Sequence, residues 1–363
     1  AVHTPVDVDT LITSIVPRLT EGAYEAVAIC LLNAYANPCH EEAVRQALAK
    51  YLPNIKITCS HDVSGEYREY ERASTTAVSA YLQPVLSNYL ERFEERLHAQ
   101  GFRGQFGVMQ SNGGRAPVAA MSKNAVTALF SGPAAGVVGA TRQLALSGYE
   151  NIITFDMGGT STDVCLVRNS VAAITPQTEI AGLPIQSPVI DIVSVGAGGG
   201  SVVRMDSGGM LRVGPESAGA LPGPACYGKG GALPTITDAH VVRGTLPSNI
   251  ELGEGLVLDR EAARAVFEPI ARRLQTDVVA VADSAIHLAV SNIVQAIQII
   301  STERGHDPRD YVLCPFGGAG PMHAARVAEA LGIDTVVVPP NAGVLSAYGL
   351  VVSDWVRFAT VTH

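Results

Sequence analysis

Charge is scarce in this sequence. Asp, Glu, Lys and Arg make up 16% of 363 residues, and acids outnumber bases to give a formal net charge of −9. With a pI near 5.5 the chain has no basic footprint, which excludes nucleic acid and an anionic membrane surface as main partners. An anionic ligand would need a cation to accompany it. The six cysteines (Cys30, Cys39, Cys59, Cys165, Cys226 and Cys314) contain no C-x-x-C pair, so no zinc site is expected from their spacing. They read as free thiols in a reducing, cytoplasmic compartment. No uninterrupted apolar run reaches about 18 residues, so no transmembrane segment is expected, and nothing at the start reads as a signal peptide. The chain opens at Ala1 and enters a helix-like pattern almost at once, as a segment of something longer would.

What is plentiful is apolar residues at 47%, with 36 Gly and 21 Pro, the composition of a folded, loop-rich protein. The length allows two domains. Short apolar runs at Glu25–Leu32 and Ile55–Cys59 alternate with helical patterns over residues 8–18 and 40–51, which predicts an α/β architecture. A long helix follows, with Val78, Leu82, Leu86, Leu90, Phe93 and Leu97 on one face and Gly101 as its stop; Pro84 should kink it or mark its start. Strands are expected at 106–110, 188–195, 311–316 and 335–338, and helices at 260–274, 283–304 and 322–331. The Gly- and Pro-rich region 208–244 reads as loop. A boundary near residue 145 predicts domains 1–145 and 146–363.

The chemistry concentrates at Ile152–Val167. An apolar run ends in Asp156, a turn with Gly158, Gly159, Thr160, Ser161 and Thr162 follows, and Asp163 opens a second apolar run. Strand, tight turn, strand is the reading, with Gly–Gly backbone N–H groups open to phosphate oxygens. Paired acids beside such a turn suit Mg²⁺, held directly or through its waters. A plain hairpin whose Asp and Thr side chains satisfy the turn is the alternative.

Other glycine motifs sort by their surroundings. Gly223–Gly230 has Gly where a Walker A loop needs Ser or Thr, and no helix follows. Gly196–Ser201 fails the dinucleotide pattern at its last position. Neither G-x-S-x-G nor S-x-x-K occurs, against a serine hydrolase. His323 has no metal-ligand partner one turn away and reads as structural. Gly317, Gly318, Ala319 and Gly320 survive, because they join a strand to a helix and present free N–H groups to an anion or a flat ring.

Six ordered motifs, FDMGGTSTDV, SGPAAGVVGA, VGAGGGS, GPESAGALPGPACYGKGG with PTITDAHVVRG, FGGAGPMHA and NAGVLSAYGL, resemble the central domain of the hydantoinase A / 5-oxoprolinase family over nearly the whole chain. That resemblance implies an actin-like ATPase fold of two ribonuclease-H-like lobes closing over ATP. It makes Asp156 to Asp163 the second-lobe phosphate loop and Gly317 to Gly320 the adenosine turn. Ser131–Ala140 and Asn341–Leu350 become the connecting helices. A first-lobe DxGGTxTD loop has no match before residue 151, so this is expected to be a partial chain lacking the N-terminal phosphate loop. The resemblance further implies ATP and Mg²⁺ as cofactors and opening of a cyclic amide or imide such as a hydantoin, N-methylhydantoin or 5-oxoproline. A B-type subunit would be the partner in a hetero-oligomer. Gly198, Gly199, Gly200, Asp238 and His240 would shape the substrate side or an interface. ATP-dependent carboxylation of a ketone, a sugar kinase, and an actin- or chaperone-like module with no small substrate are the rival readings.

Overall fold

Alternation of short apolar runs with amphipathic segments builds a mixed α/β fold in the computed structural model, which describes residues 4–249, 251–253 and 255–358. The chain begins with α1 (Val8–Glu21), β1 (Ala26–Ile29), α2 (Cys39–Tyr51), β2 (Lys56–Cys59), the single turn α3 (Ser60–Val63) and the long α4 (Glu69–Ala99). After β3 (Gly107–Met109), β4 (Arg115–Pro117), α5 (Val118–Lys123) and α6 (Ser131–Ala145) come β5 (Ile152–Met157), β6 (Thr162–Arg168) and β7 (Val171–Ala172). Next are β8 (Ile174–Ile180), β9 (Leu183–Ile190), β10 (Ile192–Val195), β11 (Ser201–Met205) and β12 (Leu211–Ser217). The last stretch holds α7 (Ile236–Arg243), β13 (Glu251–Leu252), β14 (Leu256–Val257), α8 (Arg260–Leu274), α9 (Val278–Ile300), β15 (Val312–Phe316), α10 (Gly320–Leu331) and α11 (Leu345–Val352).

Two compact units result. The first takes the described residues of Ala1–Ala135, Ile174–Ile190 and Val352–His363; the second takes those of Gly136–Ala173 and Asp191–Val351. In the first unit β1 and β2 run parallel, joined by α2, and Ile29, Val44, Leu48, Leu52 and Cys59 form a small core. The α4 helix begins at Glu69, well before its apolar stripe, and continues through Pro84. Its first turns were illegible as helix because their inner face is polar: Arg72, Thr75, Thr76 and Ser79 are all buried. The β8–β9 hairpin packs on that face, and the Gln186 N–H donates to Thr75 Oγ1 at 2.8 Å.

The second unit is built on a sheet ordered β10-β6-β5-β15, with β7 added to β6; β5 and β15 are parallel and the other pairs antiparallel. Helices α7, α8 and α9 supply Val241, Phe267, Ile286, Val290 and Ile293 to a core shared with Ile153, Phe155, Met157 and Val164 of the sheet. Burying each such side chain contributes about 1.5–3 kcal/mol. The α9 helix starts ahead of the predicted residue 283 because Asp277 caps it, accepting from Ala280 N–H at 2.9 Å. Although no transmembrane segment was expected, Val278–Arg304 is long and apolar enough to cross a bilayer; ten of its side chains instead pack into this core.

Three expectations need correction. The stretch 188–195 is not one strand: it breaks at Asp191, with β9 paired to β8 and β10 paired to β6. The region 208–244 is not loop throughout, since β11 and β12 form a hairpin and Thr235 opens α7. Residues 335–338 make only an isolated bridge, Val336 to Leu313, and no strand.

Candidate functional site

The apolar residues of β5 and β6 fix their register, and the register sets Asp156 directly opposite Asp163. Opposed side chains in an antiparallel pair stand about 5 Å apart at Cβ. Ser194 on β10 lies opposite Asp163 on the other side, and its hydroxyl donates to Asp163 Oδ1. Burial, reinforced by the Asp163 charge, pushes Asp156 up to about 6. Burial also raises Asp163, and the Ser194 hydroxyl offsets part of that rise. Two half-buried carboxylates with raised pKa values and, among the described residues, no basic partner form a place where a cation would be welcome, and a bound divalent ion would reverse both shifts.

Between the acids, the turn is closed by Gly158 N–H donating to Ser161 O at 3.2 Å. The carbonyls of Gly158 and Gly159 accept from Gly199 N–H at 2.9 Å and Gly200 N–H at 2.7 Å. With those carbonyls anchored, the N–H groups of Gly159, Thr160 and Ser161 have no protein acceptor among the described residues, and Gly158, Gly159 and Thr160 are exposed. Three successive unpaired N–H groups on a glycine turn are suited to phosphate oxygens. Thr162 differs from its neighbours: its side chain is buried and donates to Ala197 O, so it holds the turn in place.

The Gly317–Gly320 turn arrives at the same edge because β15 pairs in parallel with β5, placing Phe316 opposite Asp156. Gly317, at φ +79°, has no room for a side chain, as a β-carbon would overlap Asp156 Oδ1. Ala319 N–H donates to Met157 O at 2.8 Å, and α10 then starts at Gly320 with its first N–H groups at the carboxyl ends of β5 and β15. Ligands of α/β sheets commonly sit at that edge. Two motifs about 150 residues apart in sequence thus meet at one carboxylate.

Gly198, Gly199 and Gly200, expected on a substrate or interface side, lie beneath the Gly158–Ser161 turn. A β-carbon on Gly198 would come 2.5 Å from Thr160 N, and one on Gly199 3.0 Å from Thr237 Oγ1. Thr237 grips Gly199 O through its N–H at 2.7 Å and its hydroxyl at 2.8 Å. Asp238 is fully buried, and its carboxylate accepts from Thr235 N–H and hydroxyl and from the Ala225 and Cys226 N–H groups. It caps α7 and ties down the chain ahead of it. His240 is buried too, with Nε2 3.2 Å from His323 Nε2. Burial holds His240 down to about 4 and His323 to about 3, so both are neutral.

In the second unit the small residues of α6 serve close packing. A β-carbon on Gly136 would come 2.6 Å from the Phe316 ring, and one on Gly139 2.7 Å from Leu345 O. Sequence reasoning missed Ser194, Thr237 and the partnership of His323 with His240, because each acts through strand register or helix packing that no spacing rule exposes.

Residues 72–358 match the Hydantoinase/oxoprolinase family. The chain is 39% identical to caprolactamase subunit alpha of Pseudomonas jessenii over 359 residues, covering 99% of this chain and 51% of that protein. It is 35% identical to the acetophenone carboxylase gamma subunit of Aromatoleum aromaticum over 362 residues, covering 97% of this chain and 49% of that one. Its fold matches the crystal structure of the ATP-dependent caprolactamase from Pseudomonas jessenii with a TM-score of 0.84 at 38% identity, over 98% of this chain and 51% of the other. The chain spans about half the length of these relatives.

Proposed function

The chain belongs to the Hydantoinase/oxoprolinase family, and we propose that its second unit binds ATP and spends the γ-phosphoryl group on opening a cyclic amide or imide: a hydantoin, N-methylhydantoin or 5-oxoproline. The observation that carries this reading is the row of unpaired N–H groups at Gly159, Thr160 and Ser161, bracketed by Asp156 and Asp163. The solved relative described as an ATP-dependent caprolactamase supports it, caprolactam being a cyclic amide.

An amide carbonyl is a poor electrophile because nitrogen donates into it. Transfer of the γ-phosphoryl to the amide oxygen breaks the bond to the β-phosphate and leaves a carbon that water can attack. The ring C–N bond then breaks with the nitrogen taking up a proton from that water, and a second water hydrolyses the resulting acyl phosphate to a carboxylate and free phosphate. Such a transfer needs alignment and neutralisation of charge more than covalent help. The Gly159–Ser161 N–H groups hold β- and γ-phosphate oxygens. Gly317, Gly318 and the start of α10 receive the adenosine. Asp156 and Asp163 fit Mg²⁺ by donor type, by their shared edge and by the raised pKa values a cation would relieve. That ion, when bound, neutralises phosphate charge and orients the nucleotide. Ser194 orients Asp163, and Gly198–Gly200 with Thr237 keep the turn rigid.

The relatives are named as subunits, caprolactamase alpha and acetophenone carboxylase gamma, which supports action beside a second, B-type subunit. The carboxylase likeness also favours a second reading, ATP-dependent carboxylation of a ketone by the same phosphate site. ADP release by the full-length protein with its partner subunit, measured with hydantoins, 5-oxoproline, caprolactam, or a ketone plus bicarbonate, separates the two. Turnover indifferent to all of these would instead fit a nucleotide-binding module with no small substrate.

A further inference from the structure

The first unit brings together a different set of donors. Glu41 stands in the first turn of α2, Cys59 ends β2 and His61 lies in α3. One ligand atom from each lies within 4.8 Å of the other two. The β1–α2–β2 crossover places all three at the carboxyl ends of two parallel strands, the edge where α/β folds assemble sites. Glu41 and Cys59 are fully buried, while the His61 side chain is 15% exposed and leaves a way in. No spacing rule reveals this set, because the carboxylate comes from a separate helix.

We propose that Glu41 Oε2, Cys59 Sγ and His61 Nδ1 bind a zinc-class divalent ion, with the fourth position open toward solvent on the His61 side. Thiolate, imidazole and carboxylate together select zinc or a neighbouring transition ion over Mg²⁺ or Ca²⁺. Binding displaces the Cys59 thiol proton, and the ring proton of His61 moves from Nδ1 to Nε2. One thiolate and one carboxylate then balance the dication.

The surroundings have the form of an outer shell. Glu41 Oε1 accepts from Leu31 N–H at 2.8 Å and Ser60 Oγ at 2.6 Å, and Oε2 accepts from His61 N–H at 3.1 Å; these contacts orient the carboxylate. The only link the ion would replace on Oε2 is that with His61 Nδ1 at 2.7 Å. On the far side of the ring, His61 Nε2 lies 3.6 Å from Asp62 Oδ1, and Arg45 pairs with both Asp62 and Glu42. A carboxylate behind a ligating imidazole is the arrangement that fixes its tautomer in metal sites. Arg45 is thus shared by two acids, and Glu41 is paired with no Lys or Arg among the described residues.

The experiment uses the full-length protein, purified without chelator and exposed to Zn²⁺ or Co²⁺. Metal content by mass spectrometry and the Co²⁺ absorption spectrum are compared among wild type, Cys59→Ser and His61→Gln. The expected result is stoichiometric metal that survives dialysis, a thiolate-to-cobalt charge-transfer band in the wild type, loss of that band in Cys59→Ser, and at least tenfold weaker retention in both variants. Circular dichroism checks that each variant is folded; if Cys59→Ser is not, His61→Gln, whose site is part-exposed, decides. A folded wild type with no cobalt–thiolate band, or retention equal in wild type and both variants, overturns the proposal. Mg²⁺-dependent nucleotide binding is not expected to change in either variant.

Discussion

Gly317 is packed on Asp156 so closely that a β-carbon would overlap the carboxylate Oδ1 and lie 2.6 Å from Met157 O. The position admits no other residue without moving the acid. Gly317→Ala adds the cost of a side chain at φ +79°, about 1–2 kcal/mol, to that overlap. The expected outcome is a folded protein with a lower melting temperature and markedly weaker ATP binding, read by thermal unfolding with and without nucleotide.

Asp156 carries the pH dependence. Its pKa is raised in the folded protein to about 6 from an ordinary 3.8. The protonated acid is favoured on folding, so its contribution is fully present below pH 3.8 and is lost as pH rises through about 6. Without Mg²⁺, the wild type should lose up to about 3 kcal/mol of stability between pH 4 and pH 7 relative to Asp156→Asn. Added Mg²⁺ should remove that difference. Parallel denaturant titrations at both pH values check it.

Ser194 donates its hydroxyl to Asp163, one of the two proposed Mg²⁺ ligands. Removing its hydroxyl in Ser194→Ala takes away one hydrogen bond to the ionised acid, about 1.5–3 kcal/mol. The Mg²⁺ requirement for ATP turnover should rise about tenfold or more with little change in kcat at saturating Mg²⁺.

Gly198 supports the turn from below. In Gly198→Ala the new methyl would press on Thr160 N, so KM for ATP should rise while the β11–β12 hairpin and core stay folded. Circular dichroism and a KM-against-kcat comparison distinguish this from general unfolding.

Much of this site is written locally in the chain. Asp156–Asp163 and Gly317–Gly320 each declare strand, turn and acid or anion-binding N–H groups within about ten residues, and the structure joins them at one sheet edge. What the sequence hid depends on contacts between distant segments. Gly198–Gly200 was expected on a substrate or interface side because glycine runs carry no periodicity that would reveal their packing, yet backbone hydrogen bonds to Gly158 and Gly159 make them a support. Asp238 was expected to shape a substrate or interface side because a carboxylate's partners cannot be read from its neighbours; all of those the structure shows are within its own cap and the chain before it. The start of α4 was invisible because Arg72, Thr75 and Ser79 bury polar groups where helix reading expects apolar ones. The break at Asp191 escaped notice because eight apolar-rich residues read equally well as one strand or two.

The proposed ATP-driven opening of a cyclic amide rests on Asp156 and the Gly159–Ser161 turn. It is tested most directly by ADP release from the full-length protein and its partner subunit, with Mg²⁺ and a panel of hydantoins, 5-oxoproline and lactams, for wild type and Asp156→Asn. The account predicts that at least one cyclic amide stimulates ADP release and that Asp156→Asn lowers the stimulated rate about 100-fold or more. Stimulated turnover undiminished in Asp156→Asn, or ATP turnover indifferent to every cyclic amide, would contradict it.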